Sequence, residues 1–437
     1  MPPSEPNPKA LRGAAPNPTA RPGGLDRNRA ADLGLALLLV AAALGTNFFF
    51  RGAVDDNSRQ SWDWADNYYG RSPLSPTNRF EDVPPLHPFV LHVSFALLGH
   101  TLIALHLPAF LAGLANPVLA YLLFRDVFRS RLAGTGGALL LLAWPTALFF
   151  YNQALAEPLT LTIVLLIFLA YERERLVPLL VLAPIALLDA YDSPMILGGL
   201  ALDALLNRRR SKFHRRLAWL IAGGGVLLLL GLALDAFVFH WNVFPIVRLK
   251  ANIVTRFELI EHDFSFAKID QVNRFFFAYL LLPVVAVGAV SSFRRERRLW
   301  GVVPLAGYVA YELLLRPMES EAIPVTLRHL TIVVPCAVLL TLSAVRAAAR
   351  QRRTAGPWSR RAVAAYGLAT LAALVLVQAK YWYYRSSVEV SIDPLQLART
   401  DHEIPRYVYL SNRGMLEPKI LREAPALAGG EAWQDVV

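Results

Sequence analysis

One cysteine, Cys336, stands in a chain of 437 residues. That excludes a disulfide framework and any multi-cysteine metal site. Charge is scarce as well: 18% of the residues are Asp, Glu, Lys or Arg and 55% are hydrophobic, against roughly 25% and 45–50% in soluble domains. This deficit excludes a disordered chain, a coiled coil and an ordinary cytosolic enzyme. There is no Gly-rich phosphate loop, so no nucleotide site is indicated, and no internal repeat of the sort common in transporters. What is present is a series of long apolar runs and a mean hydropathy of +0.39. Together these predict an all-α polytopic membrane protein.

Eleven runs approach the roughly 20 residues a membrane helix needs: about 31–50, 103–123, 134–151, 155–171, 176–190, 193–206, 217–239, 275–292, 299–315, 325–345 and 361–379. The runs 176–190 and 193–206 are short. Pro184 and Pro194 release backbone groups there that neighbouring helices must satisfy, so half-spanning, tilted or broken helices are expected. The net charge of +11 and pI near 9.9 are explained by orientation. With the N-terminus cytoplasmic and strict alternation, the segments Arg125–Arg131, Arg173–Arg175, Arg208–Arg216, Arg294–Arg298 and Arg346–Arg361 all lie inside. Every one is short and basic, as the positive-inside rule requires. The basicity therefore calls for no nucleic acid.

Residues 1–30, rich in Pro, Ala, Asn and Arg, read as a disordered cytoplasmic tail. The first helix is too long and too poorly bounded for a cleaved signal peptide, and reads as a retained anchor. The transmembrane domain then occupies 31–379, with long extracytoplasmic loops at 51–102 and 240–274 and an extracytoplasmic tail at 380–437. Polar and acidic residues gather on the outer side, whereas a transporter keeps its chemistry near the midplane. The asymmetry points to a membrane enzyme working at its outer surface.

The stretch Ala53–Gly70, AVDDNSRQSWDWADNYYG, opens the first outer loop. On a helix Asp55, Arg59 and Asp63 share one face, and Trp62, Trp64, Tyr68 and Tyr69 suit the lipid–water interface. One reading is an interfacial helix with a solvated acidic cap. The other is a carboxylate held at the bilayer surface to take a proton from an acceptor hydroxyl. Arg59 either pairs with Asp63 or faces a phosphate. Farther on, Glu157 starts a helix where an acid is costly at membrane depth, yet it also suits a helix N-terminus. Asp189 and Asp192 lie at the outer turn between the two short runs. Either acid can accept from a hydroxyl, and for Asp192 the cap of the helix that begins at Pro194 is the preferred role. His87, beside Pro88, is either a phosphate contact or an interface histidine. Arg328, at the outer entrance of the tenth run, presents a planar fork suited to phosphate, or snorkels to anchor a helix end.

The acidic pair Asp55–Asp56 at the end of the first helix, with Gly70 fourteen residues past the second acid, resembles the opening of glycosyltransferases of the GT-C superfamily. Phe80–Gly99, FEDVPPLHPFVLHVSFALLG, resembles the same loop in protein O-mannosyltransferases and lipid A aminoarabinose transferases. There a Pro-Pro-Leu element precedes an amphipathic helix, and Pro84, Pro85, Leu86 and Leu97–Gly99 match it. Glu157 followed by Pro and Leu, and Leu327–Leu340 (LRHLTIVVPCAVLL) with His329 where Tyr is usual, are similar to later family elements. The sequence departs from that pattern at Asp56, where close relatives often have Glu, and at Arg59, one residue later than usual.

The resemblance implies a GT-C-like bundle with interfacial helices in its first outer loop. It implies an inverting transfer of a single sugar from a polyprenyl-phosphate donor to a lipid, polysaccharide or protein acceptor at the outer face of the membrane; the high Ala, Leu, Arg and Pro content with little Lys suggests a GC-rich bacterial gene, and hence a bacterial plasma membrane. By resemblance Asp55, assisted by Asp56, is the general base. Arg328, Glu157, Arg59 and His87 stand on the donor side, and Asp189 and Asp63 on the acceptor side. No cofactor or metal is required, although some relatives hold a metal and Asp55, Asp56, Glu157 and His87 carry ligand atoms suited to a divalent cation. Two rival readings remain: a transporter of lipid-linked sugars, and a non-catalytic transferase-like scaffold of the envelope.

Overall fold

The computed structural model describes residues 23–49, 86–99, 102–144, 156–190, 193–234, 275–276, 280–296, 298–310, 330–351 and 356–388. Among them the regular elements are all helical, and no strand occurs. In chain order they are α1 (Gly23–Phe49), α2 (Leu86–Leu98), α3 (Leu102–Phe128), α4 (Arg131–Leu142), α5 (Glu157–Glu172), α6 (Leu176–Asp189), α7 (Ser193–Leu206) and α8 (Lys212–Leu234). Then follow α9 (Leu281–Ser291), which runs on as a π-turn to Glu296, and α10 (Val302–Ala310). A 3₁₀ turn, Leu330–Val333, leads into α11 (Val334–Gln351), and α12 (Pro357–Val388) closes the series. Each of the eleven apolar runs overlaps one of these helices. Among the described residues two stretches, Ile103–Phe128 and Leu330–Arg350, are long and apolar enough to cross a membrane by length and composition. α6 and α7, at 14 residues each, extend only about 21 Å at 1.5 Å per residue, which accords with the expectation of short elements there.

α3 forms the hub, packing against α1, α2, α4 and α5. α5 is apolar on nearly every side and is buried along most of its length, the pattern of a helix enclosed by others. A second layer joins α11 to α9, α4 and α10, and joins α7 to α8 and α10. Close approach needs missing side chains: a Cβ on Gly288 of α9 would run into the backbone carbonyl of Leu340 in α11, and one on Gly199 of α7 would meet the Pro304 ring of α10. Cys336 is buried in this second layer. The outward faces carry exposed Trp219, Leu227 and Leu230 on α8 and Leu368, Leu371 and Leu376 on α12, an apolar exterior suited to lipid.

α2 departs from the amphipathic helix that the resemblance implies. One side, with His87, Leu91 and Phe95, is buried as α2 packs on α3 and α6. The other side exposes Phe89, Val93 and Leu97, which at spacing four form an apolar stripe. The Pro-Pro-Leu segment thus leads into a helix that is apolar on both faces.

At one end of the bundle the chain reversals after α3, α5, α7 and the α9 π-turn are tied together by charge. Asp32 of α1 accepts from Tyr121 (2.7 Å), Arg125 (2.9 Å) and Arg131 (2.8 Å). Asp126 pairs with Arg125 (2.9 Å) and Arg173 (2.7 Å). Glu172 accepts from Arg298 Nε (3.1 Å) and Trp300 Nε1 (2.8 Å). Asp203 accepts from Tyr171 (2.5 Å) and from the Leu299 amide (2.6 Å). His214 meets Ser211 Oγ at 2.9 Å and lies 3.8 Å from Glu174. Burial, followed by the positive charge of Arg210, holds its imidazole below the usual histidine range. Four of the five basic segments that strict alternation assigned to one side of the membrane, all but Arg346–Arg361, take part in or adjoin these contacts.

Candidate functional site

The opposite end is built differently. α5 and α6 form an antiparallel pair joined by the short reversal 173–175, so the start of α5 and the finish of α6 come together. Glu157 is the first residue of α5 and Pro158 follows within its first turn. Proline is favoured there because its missing N–H would have no partner in any case. That turn is braced against α3: Asn116 Nδ2 donates to the Pro158 carbonyl (3.0 Å), and Thr162 Oγ1 donates to Asn116 Oδ1 (2.8 Å). At the other side Ser193 Oγ donates to the Ala186 carbonyl (2.7 Å) and fixes the α6–α7 reversal.

Asp189, the last residue of α6, lies between these braces. It is 1% exposed, and neither carboxyl oxygen has a hydrogen-bond partner among the described residues. Thr160 and Glu157 are its polar neighbours, and the Thr160 hydroxyl is close enough to turn toward the carboxyl. The Thr160 hydroxyl, however, donates to the Ala156 carbonyl at 3.0 Å, and Glu157 interacts with Asp189 by charge of the same sign. The C-terminal end of α6 gives no help either, because the helix dipole there is negative. The N-terminus of α5 points the positive end of its own dipole to this side. A carboxyl group without a donor in such a place costs several kcal/mol by general transfer arguments (~2–7). A hydroxyl-rich ligand or a cation would supply the missing partner.

Of the residues singled out from sequence, Glu157 and Asp189 are brought together here. His87 is buried at the start of α2, the helix that packs on α3 and α6. Asp55, Asp56, Arg59, Asp63, Asp192 and Arg328 lie outside the described residues, as do the loops 51–80 and 240–274 and the tail beyond 388. Two contributors escaped the sequence reading, Thr160 beside Asp189 and Asn116 beneath Pro158. Their signal was a polar residue inside an apolar run, in LANP and EPLTLT. Among the described residues no group of three or more His, Cys, Asp or Glu is placed to hold a metal ion.

Residues 82–233, from just before α2 almost to the end of α8, match the family model described as dolichyl-phosphate-mannose-protein mannosyltransferase. Glu157, Asp189, His87 and their braces all fall inside this stretch. Over these residues the match supports the resemblance to GT-C membrane glycosyltransferases. A crystal structure of ArnT from Cupriavidus metallidurans in the apo state is similar over 91% of this chain and 74% of that one, with 16% identity and a TM-score of 0.47. Among curated proteins none matches the chain.

Proposed function

We propose that the chain is an inverting glycosyltransferase. It moves a single sugar from a polyprenyl-phosphate donor to an acceptor hydroxyl of a lipid, polysaccharide or protein at the extracytoplasmic face of a bacterial plasma membrane. Its N-terminus is cytoplasmic and its C-terminus extracytoplasmic. The observation that carries this reading is the buried carboxyl of Asp189 without a hydrogen-bond partner among the described residues, set beside Thr160 and Glu157 within the stretch that matches the mannosyltransferase family. A sugar or acceptor hydroxyl donates to such a group and offsets its desolvation.

In this reading Asp55, assisted by Asp56, takes the proton from the acceptor hydroxyl as that oxygen forms its bond to the anomeric carbon. The bond from that carbon to the donor phosphate breaks on the opposite face, which inverts the configuration. The leaving polyprenyl phosphate gains negative charge, and Arg328, Arg59 and His87 are assigned to it. Glu157 and Asp189 hold sugar and acceptor hydroxyls, and Asp63 stands on the acceptor side. No metal is needed for the displacement, and a divalent cation at the carboxylates is compatible with it.

The test is comparative mass spectrometry of envelope lipids and glycans from a deletion strain complemented with wild type, Asp55→Asn or Asp189→Asn. The expected result is one glycan or lipid that lacks a single sugar in the deletion strain and regains it with wild type only. Full restoration by Asp55→Asn would remove the carboxylate from the chemistry and bring the transporter and scaffold readings forward.

A further inference from the structure

At the ion-paired end, between α7 and α8, a cavity of about 610 Å³ opens beside the reversal 207–211. Arg208, Arg209, Lys212 and Arg215 line it, and no acidic residue does. Four other arginines at this end, Arg125, Arg131, Arg173 and Arg298, sit on carboxylates. Arg208, Arg209, Lys212 and Arg215 are exposed and take part in none of the ion pairs among the described residues.

Below the cations the lining turns apolar, with Trp219 and Ala222. Lys212, Arg215, Trp219 and Ala222 follow one another at offsets of three, four and three, so they form a single stripe along α8. The stripe starts at the charged reversal and runs toward the apolar middle of the helix. Trp219 is 75% exposed, and an indole at this depth marks the level of the headgroups. A diffuse excess of basic residues would satisfy the orientation rule without a cavity. A cation rim over an indole and a small-residue floor is the shape of one amphiphile.

We propose that this cavity is a binding site for an anionic phospholipid of the leaflet at the ion-paired end, its phosphate among Arg208, Arg209, Lys212 and Arg215 and its first acyl carbons along Trp219 and Ala222. Basic pockets between membrane helices bind acidic headgroups by such charge complementarity. The site lies at the opposite end of the bundle from Asp189. It requires that the chain sit in a membrane and is independent of the transfer reaction.

The experiment is native mass spectrometry of the full chain purified in a zwitterionic detergent and supplied with phosphatidylglycerol or phosphatidylcholine. Wild type is expected to retain phosphatidylglycerol in preference. Lys212→Gln/Arg215→Gln is expected to lose that retention by about 30-fold, from two cations near the surface. Arg216→Gln/Arg294→Gln removes the same charge away from the cavity lining and is expected to keep retention. Ala222→Trp keeps every charge but fills the floor, and is expected to lose retention even if the double variant fails to fold. Equal loss in the two double variants would reduce the site to diffuse charge. Undiminished retention by Ala222→Trp would exclude the floor, and displacement of the lipid by inorganic phosphate alone would make it a site for free anions. Each of these three results overturns the proposal.

Discussion

The two ends of the bundle treat buried carboxyl groups in opposite ways. Asp203 and Asp189 are each 1% exposed and each belongs to a 14-residue helix. Asp203 receives the Tyr171 hydroxyl and the Leu299 amide. Asp189 receives no hydrogen bond from the described residues and has Glu157 for a neighbour. A carboxyl whose donors are supplied by the chain is structural. One whose donors are missing is suited to a ligand, since a fold gains nothing from burying an unmet polar group. In the proposed function the ion-paired end is the frame, and the Asp189 end is the working side.

The sharpest break in this comparison is chemical. Asp55→Asn removes the proposed base at nearly constant size, and transfer should fall by about 10²–10⁴-fold with the thermal midpoint unchanged. Product quantified per unit of folded protein in membranes checks this. At the frame, Asp203→Ala leaves Tyr171 and the Leu299 amide without their acceptor, at a cost of roughly 3 kcal/mol. It should lower the unfolding midpoint while the folded fraction keeps its turnover, a contrast that melting and activity assays on one preparation would reveal.

A smaller effect concerns His214. Its folded-state proton affinity is depressed by burial and by Arg210, while Glu174, Glu172 and Asp203 oppose the shift. The unfolded chain therefore binds a proton first as pH falls. Stability from this group is complete above the ordinary histidine value of 6.5 and declines as pH drops below it. His214→Gln should flatten that slope in melting curves taken across the range. The least effect is expected for Asp126→Asn: its partners Arg125 and Arg173 are partly exposed, and such pairs contribute about 0–1 kcal/mol. A large loss there would mean that the frame is more tightly coupled than its exposure implies.

Much of the helical framework was legible because a helix in lipid must be apolar along its whole length, and such runs are visible without knowledge of their neighbours. The α5–α6 reversal was legible too. Two runs of similar length joined by 173–175 bring Glu157 and Asp189 to one end, and both had been marked as acids at the edges of apolar runs. Two features were not legible. The bonds from Asp32 to Arg125 and Arg131 span 93 and 99 positions, and nothing local announces them. Asn116 and Thr160 each look like one polar residue in an apolar run, and only the packing of α3 on α5 gives Asn116 its role. The expected base and the first-choice phosphate ligand, Asp55 and Arg328, lie outside the described residues, so their place rests on the resemblance.

The most direct measurement is Asp189→Asn, with restored glycan and thermal midpoint determined on the same membranes. If Asp189 is reserved for ligand, the glycan per folded molecule falls at least about tenfold, the loss of one charge-assisted hydrogen bond, while the midpoint stays level or rises. A midpoint lowered by several degrees with undiminished glycan per folded molecule would contradict the account and make Asp189 part of the frame.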